Sequence, residues 1–167
     1  GILLFGADNN TFTSNNITTA GTNSYAITIA HSNNSFFNNT VLTNPVQWIN
    51  SSPNTVNNFT NTSFVSTNGT ITITNFTLTG AHNISQQKLN VTFNKAFLNS
   101  TNLTFMNTSA TIILQSVTFN NPRAEVDFND DGVFESCTNC VNLSYANDIF
   151  TFNRPINKIE FSQSPAE

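Results

Sequence analysis

Charge is the scarcest property of this 167-residue chain: 8% of its residues are charged, and none lies between Asp8 and Lys88. A folded surface usually carries about a quarter charged residues, so another hydrated group must keep this stretch in solution. Basic residues are especially few, and the net charge of −4 argues against nucleic acid as a partner.

Long apolar runs and helical periodicity are also missing. No run reaches the roughly 18 apolar residues that span a bilayer, so we expect no membrane span. The pattern has little 3.6-residue periodicity, which argues against a helical fold. No Gly-x-Ser-x-Gly or His-Glu-x-x-His motif occurs, and His31 and His82 stand in unrelated contexts, so we expect no enzyme. The single Trp, Trp48, is expected in the core rather than stacked on a sugar.

Asn, Thr and Ser are abundant, with 31, 25 and 16 residues. At fifteen positions Ser or Thr follows two residues after Asn, which is about twice the number that this composition gives by chance. These acceptor positions for N-linked glycan are Asn9, Asn16, Asn33, Asn38, Asn50, Asn58, Asn61, Asn68, Asn75, Asn83, Asn90, Asn99, Asn102, Asn107 and Asn142. A sugar coat would replace the missing charge, so we predict N-linked glycans. Compositional bias alone is the alternative explanation.

Seven of these sequons have an apolar middle residue. Residues i and i+2 of a strand share one face, so such a sequon predicts Asn and Thr outside and the apolar residue inside. The middle residues are Ile17, Phe59, Phe76, Ile84, Val91, Leu103 and Leu143.

Alternation with period two recurs along the chain and predicts eight to ten short strands. The clearest runs are 25–30, 70–79, 89–97, 111–119, 125–128, 141–145, 148–152 and 156–161. In 70–79 the apolar phase changes, which predicts a bulge or a change of sheet near Asn75. We predict an all-β, Ig-like antiparallel β-sandwich. A parallel β-helix is the alternative, and we find no fixed repeat of 20 to 25 residues to support it.

The apolar segment at residues 1–7 is followed by a polar hinge that begins at Asp8. One interpretation is a donor strand, formed by Ile2, Leu3, Leu4 and Phe5, that completes the sheet of a neighbouring copy. The other is the first strand of the chain's own sheet. The donor-strand interpretation divides the chain into residues 1–8, strand and hinge, and 9–167, a single β-sandwich domain.

Three segments carry a family resemblance: the apolar N-terminus, Asn10-Thr11-Phe12-Thr13 with the later Ala20-Gly21-Thr22, and residues 67–73, Thr-Asn-Gly-Thr-Ile-Thr-Ile. Together they resemble secreted fibre subunits of the TasA and archaeal bundling-pilus kind, and the sequon load is similar to that of glycosylated archaeal threads. The resemblance covers about the first half of the chain. It implies Ig-like β-sandwiches that polymerise by donor-strand complementation.

Two short motifs lie in the acidic C-terminal part. Cys137 and Cys140 predict a local disulfide, with free thiols or a redox or metal role as alternatives. Asp127, Asn129, Asp131 and Glu135 have the spacing of a Ca²⁺ loop, although Thr138 stands where a bidentate acid is expected. A plain hairpin turn at Asp131-Gly132 is the other interpretation.

These observations predict a structural subunit of a secreted, heavily N-glycosylated cell-surface filament, whose partners are copies of itself. The chain begins at Gly1 rather than Met, which is consistent with removal of a leader and with secretion. A glycosylated adhesin or carbohydrate-binding surface ectodomain is the alternative.

Overall fold

The structure is a computed structural model that describes residues 1–22, 24–43, 46–127 and 133–154, and the backbone of 159–165. Its strands are β1 (Ile2–Phe5), β2 (Thr11–Thr13), β3 (Asn16–Thr18), β4 (Tyr25–Ala30), β5 (Phe36–Asn38), β6 (Val41–Thr43), β7 (Gln47–Ser51), β8 (Val56–Ser66), β9 (Gly69–Thr79), β10 (His82–Ser85), β11 (Leu89–Thr92), β12 (Lys95–Leu98), β13 (Ala110–Gln115), β14 (Pro122–Val126), β15 (Glu135–Ser136), β16 (Val141–Ala146), β17 (Ile149–Arg154) and β18 (Ile159–Pro165). A short 3₁₀ helix spans Thr104–Met106. The predicted all-β class is confirmed. The described part of the chain contains no helix with the length and hydropathy of a membrane span.

The strands from β1 to β8 form three stacked coils, in which they pair in parallel. β1, β4 and β7 pair in parallel on one face of the stack. β2 pairs with β5, which pairs with the first half of β8, and β3 pairs with β6, which pairs with its second half. Phe12 pairs with Phe37 and Phe37 with Phe59, so successive coils are offset by 25 and then 22 residues. This pairing is that of a parallel β-helix, the arrangement expected above as the alternative.

Equivalent side chains stack inside the coils, because successive coils lie one strand spacing apart. Phe12, Phe37, Phe59 and Phe76 form a ladder of nearly parallel rings, whose successive centroids lie 4.8, 4.5 and 4.6 Å apart. This ladder, buried except for the half-buried Phe12, holds the coils in register, since a slip by one residue would turn every ring to the outside.

A corner follows the aromatic ladder in each coil. The corner residues are Ser14, Asn39 and Asn61, with φ angles of 57°, 50° and 45°. Asn adopts this left-handed conformation more readily than most residues, which explains its use there. The Nδ2 atom of Asn61 donates to Oδ1 of Asn39 at 3.2 Å and links two corners.

The chain reverses after the third coil. β8 and β9 form an antiparallel hairpin, and Phe76 of β9 continues the aromatic ladder. The buried side of β9 changes phase between Ile73 and Phe76. This is the change predicted near Asn75, and it lies opposite the corner residue Asn61, where the ladder lacks a pair.

Antiparallel strands complete the fold. β10 pairs with β7, while β13, β17 and β16 extend the sheet outward from β9 in that order. A third sheet has the order β11-β12-β18-β14-β15. The run 89–97, predicted as one strand, is the hairpin of β11 and β12. The strands from β1 to β8 therefore pair with one another in parallel, whereas every pair that includes β9 or a later described strand is antiparallel.

One cluster of buried hydrophobic residues runs through both parts of the fold, from Leu4 to Phe152. Trp48 lies fully buried in it, and its Nε1 atom donates to the Leu89 carbonyl oxygen at 2.8 Å. The expected core position of Trp48 is thus the one that the structure shows.

The proposed donor strand, Ile2, Leu3, Leu4 and Phe5, lies in β1 of its own chain. It pairs in parallel with β4, with Leu4 opposite Ile29. Leu4 is buried, whereas Leu3 and Phe5 are 68% and 73% exposed. The donor-strand role is therefore not confirmed, and the segment occupies the place that the other interpretation gives it.

Candidate functional site

All fifteen acceptor asparagines lie on the surface or at its margin. Nine are exposed and six are half-buried. Asn57, which is fully buried, is not part of a sequon. Its Oδ1 accepts from the Ser35 N–H at 3.0 Å, and its Nδ2 donates to the Ser32 carbonyl at 3.0 Å. The fold thus uses a non-acceptor Asn inside and keeps every acceptor within reach of solvent.

The inside-outside pattern predicted for the seven apolar sequons holds in full for five of them, and a sixth has its apolar residue inside but also buries Ser85. The middle residues of these six, Ile17, Phe59, Phe76, Ile84, Val91 and Leu103, are buried. Leu143 is 51% exposed, so the prediction is wrong there. It lies at a register irregularity in β16, all of whose residues are exposed, so neither side of that strand faces the core.

Acceptor asparagines form hydrogen bonds across the outer face of β5, β8 and β9. The Thr60 hydroxyl donates to Oδ1 of Asn38, and the Thr77 hydroxyl to Oδ1 of Asn58, both at 2.8 Å. Thr108 donates to Oδ1 of Asn75 at 3.0 Å. In these three bonds the amide oxygen is the acceptor, and Nδ2, the atom to which a glycan would be attached, is not used; on β8, Nδ2 of Asn61 is used, since it donates to Asn39.

A shallow cleft of about 770 Å³ opens on this outer face. Phe36 of β5 and Phe105 of the 3₁₀ helix supply its aromatic wall, and Asn58, Asn75 and Asn107 supply amides. All its lining residues are uncharged. An uncharged cleft with amide, hydroxyl and aromatic groups suits a neutral, hydroxyl-rich ligand.

The first coil presents open strand edges. β2 pairs only with β5 among the described strands, and β1 and β3 are likewise paired on one side. The Asn10 carbonyl accepts from Phe36, and the Ser14 N–H donates to Asn38. Since backbone groups alternate sides along a strand, those of Thr11 and Thr13 point away from β5, toward the open edge.

Among the described strands, the opposite end of the same sheet is also open. Its strand order is β16-β17-β13-β9-β8-β5-β2, so β16 is the far edge. Val141, Leu143 and Tyr145 of β16, with Ile149 of β17, give this end exposed apolar surface. Sequence reasoning missed both edges, because alternation indicates a strand but not its neighbours.

The two C-terminal motifs fall on one hairpin. Cys137 and Cys140 form a disulfide. β14 and β15 pair through Val126 and Glu135 on either side of the acidic loop, as a hairpin requires. Of the four predicted Ca²⁺ ligands, Asp127 is buried and Glu135 is exposed, while Asn129 and Asp131 lie outside the described residues. The described residues hold no cluster of three or more His, Cys, Asp or Glu.

The histidines contact aromatic rings. His31 meets the edge of Phe5, and the His82 ring lies 4.5 Å from that of Phe105, centroid to centroid. Burial lowers the pKa of Arg154 at the end of β17.

Comparison with protein-family models, with curated proteins and with solved structures gave no significant match.

Proposed function

We propose that this chain is a structural subunit of a secreted, N-glycosylated cell-surface filament, built by end-to-end contact between copies. The observation that carries the proposal is the long sheet with an open edge at each end, β2 and β16. Unpaired strand edges are templates for β-augmentation by another chain.

The two edges differ, so joining them gives an open assembly. β2 has three residues and β16 has six. Contact between two different surfaces is heterologous and builds a filament when the rotation does not close a ring. Seven strands along the path, at about 4.8 Å each, predict an axial repeat of about 34 Å.

Edge addition demands less of the subunit than strand exchange. If β1 were donated to a neighbouring copy, its four residue pairs with β4 would be lost and the buried Leu4 would leave the core. Each lost backbone hydrogen bond and each methylene that leaves the core costs free energy, which contacts with the neighbouring copy must restore. Addition at β2 uses backbone groups of Thr11 and Thr13 that already point outward.

In this filament the glycans would hydrate the surface and prevent sideways contacts between sheets. The chain has fifteen acceptor asparagines at its surface and no charged residue from 9 to 87. Sugar would therefore supply the hydration of the fibre. Bulky sugar on the outer faces would also block sideways contacts between sheets, which leaves the ends as the route of association.

Replacing Thr13 with proline is expected to raise the critical concentration for polymerisation at least about tenfold. Proline removes an N–H from the open edge and adds a ring there, and a factor of ten corresponds to about 1.4 kcal/mol. Electron microscopy and sedimentation at matched concentrations measure the effect. Thr13→Val is the control, since it keeps the N–H; neither change alters a sequon.

Both variants must melt close to the unaltered protein, because Thr13 is exposed and the bonds to β5 belong to its neighbours. Leu143→Lys places a charge on the other edge and should have the same effect as Thr13→Pro. Unchanged filaments from Thr13→Pro and Leu143→Lys would refute assembly through these edges.

A further inference from the structure

We propose that the glycan carried by Asn58 folds back onto its own subunit and packs its first sugar against the ring of Phe36. The inference rests on the glycosylation included in the proposed function, and it assigns one partner to one of the fifteen acceptors. Its starting point is Phe36, which is 37% exposed in the cleft, next to amide and hydroxyl groups.

Register places the two residues side by side. Phe36 of β5 and Asn58 of β8 are direct partners in the parallel ladder. Neighbouring strands lie about 4.8 Å apart, and paired side chains on one face are in reach of each other. A sugar bonded to Asn58 therefore begins within contact distance of the Phe36 ring.

The orientation of the Asn58 side-chain amide directs an attached sugar toward Phe36. Its Oδ1 accepts from the Thr77 hydroxyl at 2.8 Å, and Thr77 lies on β9, on the side away from Phe36. Oδ1 and Nδ2 diverge by about 120° from the planar amide carbon, so Nδ2 is directed toward β5. The sugar-bearing nitrogen thus faces the aromatic ring.

The cleft matches a sugar chemically. The C–H face of a pyranose is apolar and packs on an aromatic ring, while its hydroxyls need donors and acceptors. Asn75, Asn107 and Thr108 supply these on the far side of the same cleft. No charged group lines it, which excludes a charged ligand as its best occupant.

The covalent step is a transfer from a lipid-linked oligosaccharide phosphate. The Nδ2–anomeric carbon bond forms, the anomeric carbon–phosphate oxygen bond breaks, and Nδ2 loses one proton. The lipid phosphate is the leaving group. The packing on Phe36 follows this step and involves no further bond.

The test is a thermal-denaturation cycle on the secreted, glycosylated chain. Phe36→Ala is made in the natural background and in Asn58→Gln, which cannot carry the sugar. We expect Phe36→Ala to lower the melting temperature by about 2 to 4 °C more with the Asn58 glycan than without it. Phe93→Ala, the same substitution at a 59% exposed turn position, should show no such difference.

Mass spectrometry of the glycopeptide must find Asn58 occupied. An unoccupied Asn58, or equal melting shifts in the two backgrounds, would overturn the inference. Binding of added oligosaccharide by the unaltered, glycosylated protein, lost in Phe36→Ala, would also overturn it, since the Asn58 glycan would then leave the cleft open to a foreign sugar. Failure here is separate from failure of the filament proposal, because Asn58→Gln filaments can be imaged directly.

Discussion

Replacing Trp48 with alanine is expected to lower the free energy of unfolding by about 3 to 5 kcal/mol. Trp48 has no exposed surface, and its ring meets that of Phe64 edge-on at 5.4 Å between centroids. Through its Nε1–H it also bonds to Leu89 of β11. It therefore joins the parallel coils to the antiparallel half, and its loss loosens both. Urea unfolding followed by circular dichroism measures the change, because the variant has no Trp to report by fluorescence.

Trp48→Phe separates the hydrogen bond from the packing. It keeps an aromatic ring but leaves the buried Leu89 carbonyl without its donor, which costs about 1 to 3 kcal/mol. Phe93→Ala, at an exposed turn, should change stability by no more than about 0.5 kcal/mol. A Trp48→Ala protein as stable as the Phe93→Ala protein would contradict the arrangement of the core.

Replacing Gly69 with alanine is expected to cost about 3 kcal/mol or more. Gly69 begins β9, with a φ of 148° that side chains rarely adopt. A Cβ there would overlap the backbone carbonyl oxygen of Ile113 and lie 3.1 Å from Cγ1 of Val91. Neither backbone can retreat without breaking the pairing of β9 with β13, so strain and overlap add.

Gly80→Ala is the matched control. Gly80 also has a positive φ, 83°, but a Cβ there meets nothing within 4 Å. Its substitution should cost only the conformational strain, about 1 to 2 kcal/mol. Neither change removes a sequon, since Asn68 keeps Thr70 two residues later. Equal losses of stability from the two variants, measured by urea unfolding, would show that β13 does not lie against Gly69.

Local pattern predicted β1, β4 and most of the strands from β9 onward, but missed β2, β3 and β5 to β8. β4 has the predicted bounds, 25–30, because its alternation is clean and turn residues flank it. The phase change near Asn75 was also readable, since it reflects side-chain direction within one strand. What local pattern could not supply is which strands pair and in which direction, because period two is common to parallel and antiparallel sheets.

The coil repeat was hidden by its own irregularity. The first two coils are offset by 25 residues and the next two by 22, so no fixed period appears. The interior also varies, with Ile17, Leu42 and Phe64 at one level. A signal was present: Phe12, Phe37 and Phe59 each stand five residues before these partners. This five-residue interval is the same in every coil, even though the number of residues between successive coils changes.

The candidate site was predictable only in part. The acceptor pattern predicted Asn58, Asn75 and Asn107 as glycan acceptors, and all three are exposed. The cleft that they share could not be read from sequence, since Phe36 and Phe105 come from elements far apart in the chain. Leu143 shows the converse limit, because its sequon predicts burial and its edge strand has no core to face.

Electron microscopy of the native secreted material tests the central claim most directly. We expect filaments with an axial repeat of about 34 Å, sheets continuous from β16 of one copy to β2 of the next, and diffuse sugar density outside. The reconstruction would also show whether residues 2–5 remain in their own sheet. If concentrated native material contains only discrete single-subunit particles, the filament is contradicted, and with it the proposed function.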